Sequence, residues 1–161
     1  MPQFSLILPN IRSCHNVGAM FRTADVFGFE KLYLVGYTAQ PPKPQIDKVS
    51  LGAEQWVPWE HRDDLAELIA DLQQKGTKVL ALEKSQTSTD IRDFQPQKGE
   101  DIALVVGNEV TGIVPEIEQL CDGVVHISMY GKKESLNVSI AAGVAMYILK
   151  HASITSRHAK H

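Results

Sequence analysis

Three short stretches hold the residue types from which a reactive centre is most readily built. The first is Asn16-Val17-Gly18-Ala19-Met20-Phe21-Arg22-Thr23-Ala24, an N-x-G-x-x-x-R-T-A pattern. The second runs from Leu104 to Ile113 and contains Gly107-Asn108-Glu109 and Gly112. The third runs from Ile127 to Gly143 and contains Ser135-Leu136-Asn137. An arginine carries a permanent charge on a planar fork of donors, which suits a phosphate or an oxygen turning anionic. A carboxylate such as Glu109 can orient a neighbouring group. Glycines at 107 and 112 permit tight turns and let backbone amides reach a ligand. Asn137, near a helix start, could donate to an anionic ligand. Each residue also has an ordinary reading. Arg22 alone is a solvated charge, Glu109 a solvated loop carboxylate, and Asn16 and Ser135 are helix N-caps.

The remaining chemistry-bearing patterns are absent. No G-x-G occurs, so the dinucleotide fingerprint is missing. Gly131-Lys132-Lys133 lacks both the upstream glycine and the following Ser or Thr of a P-loop. There is no H-E-x-x-H, C-x-x-C or G-x-S-x-G, and the six histidines have no metal-ligand spacing. No metal is therefore expected. Two cysteines, Cys14 and Cys121, make neither a disulfide framework nor a zinc finger, and a reducing cytoplasm is the expected location. The opening MPQFSLILPN has no basic leader, so Asn137-Val138-Ser139 is read as a chance match to a glycosylation sequon.

Elements that would position the three stretches follow from hydrophobic patterning. Gln3–Leu8, Lys31–Val35, Lys78–Leu82, Asp101–Val106 and Val124–Ile127 read as strands. Several are continuous apolar runs, as strands covered on both faces should be. Asn16–Phe27 has Val17, Met20, Phe21, Ala24 and Phe27 on one face and Gly28 as its stop, the pattern of an amphipathic helix. Asp63–Lys75 repeats that design before Gly76. A short helix begins at Pro115-Glu116. Leu136–Lys150 is a helix apolar on nearly every side, and Ser153–His161 is expected to fray. The proline-rich Thr38–Ser50 is expected to be loop. Alternating strands and helices predict one α/β domain with a mostly parallel sheet flanked by helices. Ligands of such sheets bind beyond the carboxyl ends of the strands. The loops to search are then Pro9–His15, Glu83–Thr89, Gly107–Gly112 and Ser128–Ser135.

Length and charge narrow the class. The 161 residues suffice for one domain with its own core, and no apolar run reaches about 18 residues, so no membrane span is expected. A net charge of −3 argues against indiscriminate coating of nucleic acid. It leaves room for one local basic patch built from Arg12, Arg22, Lys43, Lys48, Lys132 and Lys133.

In this order and spacing, the three stretches closely resemble the SPOUT superfamily of RNA methyltransferases, in its SpoU/TrmH-type branch. Ser50-Leu51-Gly52-Ala53 also fits that branch's S-x-G-A stretch. The resemblance runs from about Leu6 to Leu149. It implies a parallel α/β sheet whose C-terminal part forms a trefoil knot, S-adenosyl-L-methionine as cofactor, and methyl transfer to a ribose 2′-hydroxyl of RNA. It also implies a homodimer, for which the small residues Ser139, Ala141, Ala142, Gly143 and Ala145 would provide a close helix face. The RNA is expected to be tRNA, with rRNA as alternative and a non-catalytic RNA- or nucleotide-binding module as the competing class.

The resemblance also assigns roles. Asn16, Arg22, Glu109, Ser135 and Asn137 become the catalytic set. Arg22 would clamp an RNA phosphate and stabilise the forming alkoxide, with Glu109 beside it as its orienting partner. Leu82, Gly107, Ile127, Leu136 and Ser135 become the cofactor-binding set, the hydrophobic members acting through backbone contacts. Gly18, costly inside a helix, would be explained by close backbone approach of a neighbour or of substrate.

Overall fold

A computed structural model describes residues 2–158. Seven strands form one sheet: β1 (Phe4–Pro9), β2 (Lys31–Val35), β3 (Trp59–Arg62), β4 (Lys78–Leu82), β5 (Thr89–Asp90), β6 (Ile102–Val105) and β7 (Gly123–His126). Their order is β3-β2-β1-β6-β4-β7-β5, and every neighbouring pair is parallel. Five helices connect them: α1 (Cys14–Phe27), α2 (Pro44–Ser50), α3 (Leu65–Gln74), α4 (Pro115–Leu120) and α5 (Val138–His158). The α/β class and the parallel sheet read from the sequence are therefore present.

Side chains alternate across the strands and so divide the core in two. Phe4, Leu6 and Leu8 of β1 join Val17, Met20 and Phe21 of α1 and Ala142, Ala145, Met146 and Leu149 of α5 on one face. Ile7, Val79, Ala81, Ala103 and Val105 meet Leu68, Ile69 and Leu72 of α3 on the other. Burying such a layer on each face supplies the main stabilising term. Helix ends are set locally. Ser13 caps α1 by accepting from the Asn16 backbone N–H at 3.1 Å, and Gly28 closes the helix at φ +72°. Asp64 caps α3 through the Glu67 N–H at 2.9 Å.

Four expectations need correction. Pro44–Ser50 is a helix, not loop, because Pro44 stands in the first turn, where its missing N–H costs nothing. The edge strands β3 and β5 escape hydrophobic patterning because one reads Trp-Glu-His-Arg and the other is two residues long. Helix α5 starts at Val138, since Asn137 caps it, and runs past Lys150 to His158, through part of the tail expected to fray from Ser153. Positions 159–161 lie outside the described residues. Finally, Val138–Thr155 is long and apolar enough to cross a bilayer by length and composition alone. Here one side of that helix is core, while Ile140, Val144 and Tyr147 stay exposed.

The placing of α1 explains Gly18. A Cβ there would lie 2.6 Å from the Ile46 carbonyl oxygen and 3.0 Å from the Val49 Cβ, both on α2. Gly18→Ala should therefore cost about 1–3 kcal/mol by overpacking, read as a lower midpoint in urea unfolding. An unchanged midpoint would mean that α2 yields freely.

Candidate active site

The carboxyl ends of the parallel strands open onto a cavity of about 710 Å³. Each of the four loops named from the strand order contributes: Ser13 from the first, Glu83 and Lys84 from the second, Gly107 to Val110 from the third, Met129 and Glu134-Ser135 from the fourth. Asn16, Leu82, Ile127, Leu136 and Asn137 complete much of the wall. Of the nine residues of the expected catalytic and cofactor-binding sets, all but Arg22 meet at this one place.

A hydrogen-bonded chain ties the three distant stretches together. Asn16 is buried, and its Nδ2 donates to Glu109 Oε1 at 2.7 Å. Its Oδ1 accepts from Asn137 Nδ2 at 3.2 Å. The Glu109 carboxylate also accepts from the backbone N–H groups of Arg12 (3.3 Å) and Ser13 (3.4 Å). Asn137 has a second duty. Its Oδ1 accepts from the Ser139 N–H at 2.9 Å and the Ser139 hydroxyl at 2.6 Å, which caps α5. The capping expectations are thereby reassigned: Ser13, not Asn16, caps α1, and Asn137, not Ser135, caps α5.

Arg22 does not sit beside Glu109. It lies on the exposed face of α1 and outside the cavity wall. Six positions along a helix turn a side chain by about 240°, so Asn16 and Arg22 cannot face the same way. The partner that orients Glu109 within the chain is Asn16.

Two further carboxylates brace the loops. Glu83 Oε2 accepts from the Ile113 N–H at 2.9 Å. Gly112, at φ +65°, sits in the left-handed region that favours glycine, and a Cβ there would push the Glu83 carboxylate off the Ile113 N–H. Asp90 accepts from the Ser128 hydroxyl and from Arg92, whose guanidinium holds that carboxyl well below the usual carboxylate range. Arg92 in turn donates to the Tyr130 hydroxyl at 2.9 Å, fixing the run that leads from β7 towards α5. Glu83 sits at a strand end and Asn108 inside a quoted motif, so both were findable by position. Neither stands out by residue type, because their work is done through backbone groups of other loops. Asn108 donates to the Asn10 carbonyl and accepts from the Val110 N–H at 2.8 Å, closing its own turn. Cys121 is excluded as a nucleophile. Burial, helped by Asp122 and Glu118, pushes its thiol up to about 12 and keeps it protonated. Among the described residues no cluster of His, Cys, Asp or Glu could hold a metal ion.

The SpoU rRNA Methylase family model matches residues 3–147. The chain belongs to that family. A tRNA (guanosine(18)-2′-O)-methyltransferase of Aquifex aeolicus is 35% identical over 139 residues, covering 86% of this chain and 64% of the relative. A 23S rRNA (guanosine-2′-O-)-methyltransferase of Coxiella burnetii is 32% identical over 146 residues, covering 91% and 57%. The chain thus spans about three fifths of the length of these relatives. Among solved structures, the A. aeolicus TrmH/SpoU tRNA modifying enzyme superposes with a TM-score of 0.85 at 28% identity, covering 98% of this chain and 78% of that one. The SpoU methyltransferase AviRb of Streptomyces viridochromogenes, in complex with the cofactor AdoMet, gives 0.83 at 25% identity, covering 96% and 61%.

The double duty of Asn137 separates by substitution. Asn137→Ala loses both the cap and the donor to buried Asn16 Oδ1 and should lower the unfolding free energy by about 2–4 kcal/mol. Asn137→Ser loses the same donor but keeps a capping oxygen, so it should be about 1 kcal/mol more stable than Asn137→Ala. Equal losses in urea titrations would show that the cap is not what Asn137 contributes to stability.

Proposed function

We propose that this SpoU-family chain transfers a methyl group from S-adenosyl-L-methionine to a ribose 2′-hydroxyl of RNA. The observation that carries the reading is the chain Glu109–Asn16–Asn137 at the mouth of the strand-end cavity. Leu82, Gly107, Ile127, Ser135 and Leu136 would hold the cofactor. The cavity that they line sets apolar side chains beside the polar Ser13, Lys84, Asn108 and Ser135, which fits an adenosine with a charged amino-acid arm. When bound, that cofactor supplies an electrophilic methyl on a sulfonium. The protein's own task is to present a hydroxyl in line, its proton passing to solvent water as the methyl is accepted. Asn137, exposed on the cavity wall, keeps a second Nδ2 proton for the sugar, while Asn16 holds Asn137 and Glu109 fixes Asn16. tRNA is the favoured RNA, supported by the tRNA-modifying relative at 35% identity, with rRNA as the alternative.

Arg22 enters this scheme from a second copy of the chain. The outer faces of α1 and α5 expose Val26, Ile140, Val144 and Tyr147 beside it. An exposed apolar strip of this kind on a long helix suits a two-fold homodimer. Across such an interface Arg22 would clamp an RNA phosphate and stabilise the developing alkoxide at the other subunit's cavity. Arg12, Lys43, Lys48, Lys132 and Lys133 are likewise exposed, and no ion pair engages them among the described residues. They would add phosphate contacts despite the net negative charge. The trefoil knot belongs to the same proposal; the return of the Ser128–Ser135 segment to the cavity beside Asn16 is in keeping with it.

Nucleoside mass spectrometry of RNA from cells lacking the protein should reveal one missing 2′-O-methyl nucleoside. A full complement of such nucleosides would overturn the proposal. The dimer has its own test. Arg22→Ala and Asn137→Ser subunits should each be nearly inactive alone. Mixed and reassociated, they should regain about one quarter of wild-type turnover, because half the dimers then hold one complete site. No recovery on mixing would place Arg22 in its own subunit's reaction or outside the mechanism.

A further inference from the structure

A second cavity, of about 580 Å³, lies on the far side of the Asn108–Gly112 turn from the first. The two share that turn as a common wall, Glu109 included. Its most prominent feature is Tyr37, 56% exposed yet held at both ends. The Tyr37 N–H donates to Asn10 Oδ1 at 3.1 Å, and its hydroxyl accepts from Asn108 Nδ2 at 3.3 Å. The Arg12 guanidinium stands 5.0 Å from the ring centroid and covers one face. Val110 and Val114 line the same cavity, 90% and 43% exposed.

These features describe a prepared surface. An aromatic ring anchored at both ends loses little freedom when something stacks on it. Arg12 forms no ion pair among the described residues, so its charge is available to a phosphate. An apolar concavity, a ring face and an unpaired guanidinium together match a nucleobase and its backbone. We infer that this second cavity receives one unstacked base of the RNA segment that carries the acceptor ribose. Tyr37 is the stacking platform, Val110 and Val114 are the apolar rim, and Arg12 binds the adjoining phosphate. Sequence-specific RNA recognition favours such splayed-out bases. The shared wall means that the base would press on the turn bearing Glu109, so RNA binding and alignment of the reacting sugar are linked.

This inference rests on the RNA reading above. The test uses total RNA from cells lacking the protein, which contains the substrate whether it is tRNA or rRNA. Transfer of labelled methyl from S-adenosylmethionine is measured alongside calorimetric cofactor affinity. Tyr37→Ala should raise the KM for RNA about tenfold, within the range of one base–aromatic stack. Cofactor affinity should be unchanged. Tyr37→Phe should stay within about twofold of wild type, because the ring face remains. Arg12→Gln should reduce the slope of log affinity against log salt by about one. If Tyr37→Ala matches wild type, the inference fails. It fails equally if Tyr37→Phe is as impaired as Tyr37→Ala, since the hydroxyl's bond to Asn108 is then the whole role. A change in sedimentation with no change in RNA kinetics assigns the cavity to a protein contact instead. Wild-type protein that methylates none of this RNA overturns the proposed function and this inference with it.

Discussion

One carboxylate holds the site together. Glu109 stands on a loop after a buried strand, where a charged side chain ordinarily faces water and contributes little. Here it accepts from the Asn16 side chain and from the backbone of Arg12 and Ser13. That joins the end of β6 to the start of α1. Asn16 is buried with both ends of its amide engaged, the second by Asn137 at the start of α5. A buried amide left without partners costs about 1–3 kcal/mol, so each of the three groups constrains the other two. The geometry is fixed before any ligand arrives, as the proposed placing of a weak nucleophile would require.

The rest of the fold makes that meeting possible. An all-parallel sheet sends every strand's carboxyl end to the same edge, so four loops far apart in sequence face one cavity. Helix α5 then serves three ends at once. Its cap, Asn137, is part of the hydrogen-bonded chain. Its inner face closes the core through Ala142, Ala145, Met146 and Leu149. Its outer face keeps Ile140, Val144 and Tyr147 in water, an arrangement that a second subunit would relieve. Lys150, donating to the Gly28 carbonyl at 3.2 Å, ties the middle of α5 to the end of α1. Alignment of the two helices is thereby coupled to alignment of the site.

Much of this was legible in the residues. Continuous apolar runs marked the central strands, and the strand-end rule located all four cavity loops. The motifs named the members of the hydrogen-bonded chain. What escaped has physical causes. Patterning finds elements that bury a face, so the polar edge strand β3 and the two-residue β5 left no trace. Proline was read as a breaker throughout 38–50, although at Pro44 it opens a helix. Spacing shows which residues share a helix but not which neighbour each meets. Asn16 and Arg22 belong to one motif, yet the helical turn between them sends one inward and the other to the surface. Glu83 and Asn108 act on backbone groups brought close only by the sheet, which no local pattern encodes.

The joint action of Asn16 and Glu109 can be measured by a double-mutant cycle. Methyl-transfer rates are compared for wild type, Asn16→Ala, Glu109→Ala and the double variant. Residues that act as one unit are strongly non-additive. The double variant should therefore fall within about threefold of the slower single variant. Defects that simply multiply would mean that the two residues work independently, and the account of a single constrained centre would fail.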